Sequence, residues 1–162
     1  MPDSTPQASA TIALLRERGL TVAVAESLTG GLLASRLIDV AGASQAVLGG
    51  IVAYATDVKA RVLGVDAGLL ARNGAVDPEV ARQMAQGVRL ALGADIGVST
   101  TGVAGPEPQD GQPVGTVFIG LADSLGVHAA ELGLEGSRAR IRTETVDQAI
   151  RLLAGHLRTP SD

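Results

Sequence analysis

The stretch Thr21-Val22-Ala23-Val24-Ala25-Glu26-Ser27-Leu28-Thr29-Gly30-Gly31-Leu32-Leu33-Ala34-Ser35-Arg36-Leu37-Ile38 decides how this chain is read. Residues 21–25 form a short apolar run of buried-strand character, and residues 32–38 have the composition of a helix. Between them, Ala25 to Gly31 is a strand-to-helix turn. Such turns expose a side chain at the carboxyl end of a strand and aim free N–H groups outward from the helix start. Here the exposed groups are the Ser27 hydroxyl and the Glu26 carboxylate. Alone, Ser27 or Thr29 reads as a plain helix cap. Gly30 and Gly31 argue for more, because a double glycine weakens a first helical turn yet lets a ligand approach the main chain.

Outward from that turn, helices and strands alternate. Upstream, Ala8 to Arg18 reads as a helix closed by Gly19, with Met1 to Gln7 as a loose tail. Downstream, the first helix ends near Val40-Ala41-Gly42. Ala46 to Tyr54 is a continuous apolar run, read as a buried central strand. Thr56 to Leu63 is a short helix with Thr56 or Asp57 near its cap. Asp77-Pro78-Glu79 is a helix start, and Val80, Met84, Val88 and Leu92 repeat at helical spacing until Gly93. Ile96 to Thr100 reads as a third strand, running into a Gly- and Pro-rich loop from Thr101 to Pro113. Gly115 to Ala122 and Val127 to Leu134 read as two further strands; His128 and Glu131 mark the second as an edge. Ser137 caps a long last helix whose Ile141, Ala149, Ile150, Leu153 and Leu157 face inward. This order implies one α/β layered domain, over residues 8–158, with a mixed, largely parallel sheet flanked by helices.

Composition narrows the function. The chain has 162 residues, 46% of them hydrophobic and 19% charged, which fits a soluble globule with its own core. One Tyr, one Phe and no Trp leave no aromatic platform for base stacking, and a net charge of −4 argues against nucleic acid as a partner. With no cysteine there is neither a disulfide framework nor a thiolate metal site, and the two histidines, His128 and His156, are isolated. No metal or other cofactor is expected. Neither a signal peptide nor a membrane span is legible, so a cytoplasmic location is expected. A mean hydropathy of +0.28 points to surface buried between subunits, with a homodimer as the default.

If the first three strands run parallel, three loops gather at one end of the sheet, where open α/β sheets bind ligands. They supply the Ser27 hydroxyl, the Tyr54 phenol with the Lys59 amine, and the Thr101 hydroxyl among Gly102 and Gly105. This set suits acyl transfer without histidine: Ser27 as nucleophile, Lys59 as base, Thr101 and nearby amides around the developing oxyanion. A lysine base must be neutral, which requires burial or a neighbouring cation. Arg138 and Arg142, spaced i,i+4, suit a phosphate. Glu26 either orients Lys59 or braces backbone amides. Each residue also has a plainer reading: Tyr54 as strand packing, Lys59 as a solvated helix position, Thr101 as a turn cap, the arginines as an exposed pair. Only the set lifts the chemistry above these. The dinucleotide, P-loop and G-x-S-x-G fingerprints are absent.

The motifs Ala25-Glu26-Ser27-Leu28-Thr29-Gly30-Gly31, Gly49-Gly50-Ile51-Val52-Ala53-Tyr54 with Lys59 and Leu63-Gly64-Val65, Thr101-Gly102-Val103-Ala104-Gly105-Pro106, Pro113-Val114-Gly115-Thr116-Val117, and Arg138 with Ile141-Arg142 together resemble the CinA C-terminal domain family. The resemblance runs from about Ile12 to Leu157. It implies a nicotinamide-nucleotide amidohydrolase, or NMN deamidase, of the competence/damage-inducible group. That enzyme converts nicotinamide mononucleotide (NMN) to nicotinate mononucleotide and ammonia in pyridine nucleotide salvage. It also implies catalytic roles for Ser27, Lys59, Tyr54 and Thr101. The expected substrate-binding set is Glu26, Thr29, Gly30, Gly31, Gly102, Gly105, Arg138 and Arg142, with the Gly30-Gly31 amides and Arg142 as the candidates for phosphate. Many members carry serine where this chain has Asp77, which caps a helix as well. Larger members add an N-terminal domain whose separate activity is not expected of this chain. The alternative is a non-catalytic nucleotide-binding module of the same fold; a third reading is an amidase for another small phosphorylated amide.

Overall fold

The computed structural model describes residues 5–160. Five strands, β1 (Val22–Glu26), β2 (Val47–Val52), β3 (Ile96–Gly102), β4 (Thr116–Ala122) and β5 (Val127–Gly133), form one sheet in the order β2-β1-β3-β4-β5. β1 pairs in parallel with β2 and with β3, while β4 and β5 are antiparallel additions. Six helices cover it: α1 (Thr5–Arg18), α2 (Leu32–Ile38), α3 (Thr56–Leu63), α4 (Ala67–Asn73), α5 (Pro78–Leu92) and α6 (Arg138–Arg158). The mixed sheet flanked by helices is the architecture that the alternating pattern implies.

The first four residues of β1 are apolar because the strand is central and buried on both faces. Val22 and Val24 face a core built with α1, α2 and α6, including Ile12, Leu15, Leu37, Ile141, Ile150 and Leu153. Ala23 and Ala25 face the other way, with Leu63 of α3, Leu69 and Leu70 of α4, and Val80, Met84 and Val88 of α5. The second face is lined by small residues, so α5 lies close to the sheet. A side chain at Gly97 or Gly120 would run into the carbonyls of Ala85 or Ala81 on α5. A core whose one buried aromatic is Phe118 thus gains density from close approach rather than from bulk.

Several boundaries differ from expectation. Helix α1 begins at Thr5, so residues 5–7 are helical, while the rest of the expected tail, residues 1–4, lies outside the described residues. β2 is an edge strand, not a central one: Leu48 and Val52 are half exposed. An apolar run does not distinguish these cases, since edge position depends on what the rest of the sheet pairs with. α4 has no counterpart in the sequence reading; its signal was Asp66, which accepts the Leu69 N–H at 2.7 Å. The α3 cap is Ala55, without a side-chain bond, and Asp57 pairs with Arg61 instead. The expected caps of α5 and α6, Asp77 and Ser137, each accept helix N–H groups. Among the described residues, no helix is long and apolar enough to cross a membrane.

Candidate active site

Parallel pairing brings three strand ends into register. Glu26 pairs with Val52 on one side and Thr100 on the other. One residue further, the Ser27 N–H donates to the Thr100 carbonyl at 3.0 Å and the Ala53 N–H to the Glu26 carbonyl at 2.9 Å. Ala53, Ser27 and Thr101 therefore stand side by side. Side chains alternate across a sheet. Ser99 reaches the Ala81 carbonyl of α5, and Thr101 the Ala75 carbonyl just before α5. Ser27 and Thr101 accordingly share the α3/α5 face, and Glu26 and Thr100 take the α2/α6 face.

Lys59 comes to Ser27 from α3. The carboxyl end of α3 presses against Gly87 of α5, where a side chain would meet the Leu63 carbonyl. That close packing sets the helix and buries Lys59, which is 1% exposed. Its Nζ lies 2.9 Å from Ser27 Oγ, 2.8 Å from the Ala53 carbonyl and 3.2 Å from the Tyr54 carbonyl. Carbonyls only accept, so they take two N–H groups. A neutral amine has two, and its lone pair then faces the Ser27 hydroxyl. Burial brings the lysine from 10.5 down to about 8, against an opposing pull from the Asp110 carboxylate. At neutral pH roughly a tenth of it is then free amine, against about one part in three thousand for an exposed lysine.

In front of Ser27 opens a cleft of about 170 Å³, lined by Ser27, Leu28, Tyr54, residues 75–76, residues 101–105, Glu107, Gln109 and Arg138. Lys59 sits behind Ser27 and is not in that lining. Arg138 guards the rim, donating to the Gly105 carbonyl at 2.6 Å and to the Tyr54 hydroxyl at 3.1 Å. Tyr54 is 62% exposed, so it belongs to the mouth rather than the floor.

Of the residues expected from the sequence, Ser27, Lys59, Tyr54, Thr101, Gly102, Gly105 and Arg138 gather here. The others do not line the cleft. Glu26 turns to α2, where its carboxylate accepts the Leu33 and Ala34 N–H groups at 2.8 and 3.0 Å. This is the bracing alternative. It thereby occupies the N-terminal end of α2, where Gly31 is the cap with φ 104, and neither Gly30 nor Gly31 is in the cleft lining. Thr29 is fully buried, its hydroxyl 2.7 Å from that of Thr100. Arg142 donates to the Leu28 carbonyl at 2.8 Å and the Thr29 carbonyl at 3.3 Å, which holds the turn from behind. The sequence reading missed Ala75, Glu107, Gln109 and Asp110. The Gly74 before Ala75 was a usable signal, since its φ of 74 marks a fixed turn.

A hydroxyl backed by a buried amine, at the carboxyl edge of a three-layer α/β domain and open to a small cleft, has the parts of a small-molecule site with acyl-transfer chemistry. Residues 4–157 match the model of the CinA C-terminal domain, and the chain belongs to that family. A "CinA-like protein" from Frankia casuarinae is 57% identical over 148 residues, covering 89% of this chain and 34% of that protein. Another from Geobacter sulfurreducens is 48% identical over 147 residues, covering 90% of this chain and 36% of that protein. The chain thus spans about a third of the length of these curated relatives. The crystal structure of competence/damage inducible protein CihA from Agrobacterium tumefaciens superposes with a TM-score of 0.92 at 36% identity, covering 98% of each chain. A CinA superfamily protein from Klebsiella pneumoniae gives a TM-score of 0.92 at 29% identity, covering 96% of this chain and 98% of that one.

Proposed function

We propose that this chain hydrolyses the carboxamide of nicotinamide mononucleotide to nicotinate mononucleotide and ammonia. The observation that carries this reading is the Lys59–Ser27 contact at 2.9 Å, with two carbonyls holding the rest of the amine. Ser27 Oγ attacks the carboxamide carbon as its proton passes to Lys59 Nζ. The tetrahedral adduct collapses, its C–N bond breaks, and Lys59 returns the proton to the leaving ammonia. Water then attacks the Ser27 ester, giving its proton to Lys59 and thence to Ser27 Oγ, and the carboxylate leaves. The Leu28 N–H, adjacent to the nucleophile, has no hydrogen-bond partner among the described residues and is the candidate oxyanion donor.

At the mouth, Arg138 and the Tyr54 hydroxyl suit the phosphate. The guanidinium donates to the phenol oxygen, which leaves the phenol proton to point at an anion. The flat ring then lies in the cleft, with the charged end outside.

Ammonia release from NMN by purified protein tests this. Ser27→Ala is expected to lose at least about a thousandfold in rate while still binding the nucleotide. Nucleotide binding by the unaltered protein without ammonia release would make it a binding module instead.

A further inference from the structure

Thr101 stands beside Ser27, yet its hydroxyl is not free to donate. Its single proton is committed to the Ala75 carbonyl oxygen at 2.7 Å, because a carbonyl only accepts. That carbonyl is held in place. On the other side of the same residue, the Ala75 N–H donates to the Asp110 carboxylate at 3.0 Å. Gly74 makes room for the arrangement, since a side chain there would run into Asp110. Thr101 as a whole is 1% exposed. What it offers the cleft is therefore lone pairs.

Ser27, one residue past β1, lies next to Thr101 of the adjacent parallel β3, where neighbouring strands run about 4.8 Å apart. A group bonded to the carbon that Ser27 attacks falls within reach of Thr101 Oγ1. We propose that Thr101 reads the amide: its Oγ1 accepts an N–H of the substrate carboxamide, and so selects amides over the matching esters and carboxylates. The inference rests on the amidohydrolase reading above and deepens it. It also removes Thr101 from the oxyanion donors among which the sequence placed it. An ester has no N–H to offer. The carboxylate product sets oxygen against oxygen at this position, which favours its departure.

The test compares NMN with the methyl ester of nicotinate mononucleotide, for the unaltered protein, Thr101→Val and Thr101→Ser. Thr101→Val is expected to lose about thirtyfold in kcat/KM on the amide, the cost of one hydrogen bond to a polarised group, and less than about threefold on the ester. Thr101→Ser is expected to stay within about fivefold on both, since it keeps the proton and the lone pairs. Retained ester turnover shows that the valine variant is folded. Should that variant not fold, calorimetric titration of Ser27→Ala decides: NMN is expected to bind at least about tenfold tighter than nicotinate mononucleotide. Equal losses on amide and ester, or equal binding of the two nucleotides, overturns the inference alone. An unaltered protein that hydrolyses neither compound overturns the amidohydrolase reading and this inference with it.

Discussion

Glu26 and Ser27 are neighbours in the chain and opposites in the molecule. On the Glu26 face of the sheet, the polar side chains near the turn close on protein. The carboxylate takes two α2 amides, Thr29 and Thr100 share a hydrogen bond, and Arg142 holds two carbonyls of the turn. On the Ser27 face, a lysine is buried against two carbonyls and a hydroxyl, at a cost to its charged form. The first face fixes the loop, and the second keeps a reactive amine where the fixed loop needs it. One turn does both because strand alternation sends successive side chains to opposite layers.

The contrast breaks most visibly at Lys59. Lys59→Met is expected to lose at least about a thousandfold in kcat on NMN, with the circular dichroism spectrum unchanged. Its stability relative to the unaltered protein should also depend on pH. The folded-state pKa is about 8 and the unfolded one 10.5. Between those values the unfolded chain binds the proton that the folded chain has released, so the unaltered protein gains stability as pH rises. Urea unfolding at about pH 7 and pH 10 should show that gain in the unaltered protein and not in Lys59→Met. A constant difference between the two would mean that Lys59 is not desolvated as described.

On the other face, Glu26→Ala leaves the Leu33 and Ala34 N–H groups without their acceptor. It is expected to cost roughly 3 kcal/mol in urea unfolding. Loss of rate without loss of stability would place Glu26 in the chemistry after all. A smaller effect is expected at the rim, where Arg138→Met should raise KM for NMN about tenfold and leave kcat nearly unchanged. Smallest is Thr29→Val, at about 1 kcal/mol of stability with no change in rate.

Much of the fold was legible because its signals are local. The glycine turn, the Asp77-Pro78 helix start and the stripe on α5 each act within a few residues. Ser27, Lys59 and Thr101 were legible as a set, since three parallel strand ends must share one side of a sheet. What was not legible depends on partners far along the chain. β2 reads as central because its apolar run says nothing about which strands exist to flank it. The bonds of Arg142 to the turn are hidden too, because its charge is visible and the Leu28 carbonyl 114 residues away is not. The donor direction of Thr101 follows from Ala75, 26 residues earlier, and no spacing rule connects them.

The central claim is that a neutral Lys59 takes the Ser27 proton. It is tested most directly by the pH dependence of kcat/KM for NMN, followed between about pH 6.5 and pH 10. The rate is expected to climb tenfold per pH unit at the acid end and level off above about 8, where the amine is free. A profile that stays flat across that range, or falls as the amine loses its proton, would contradict the account.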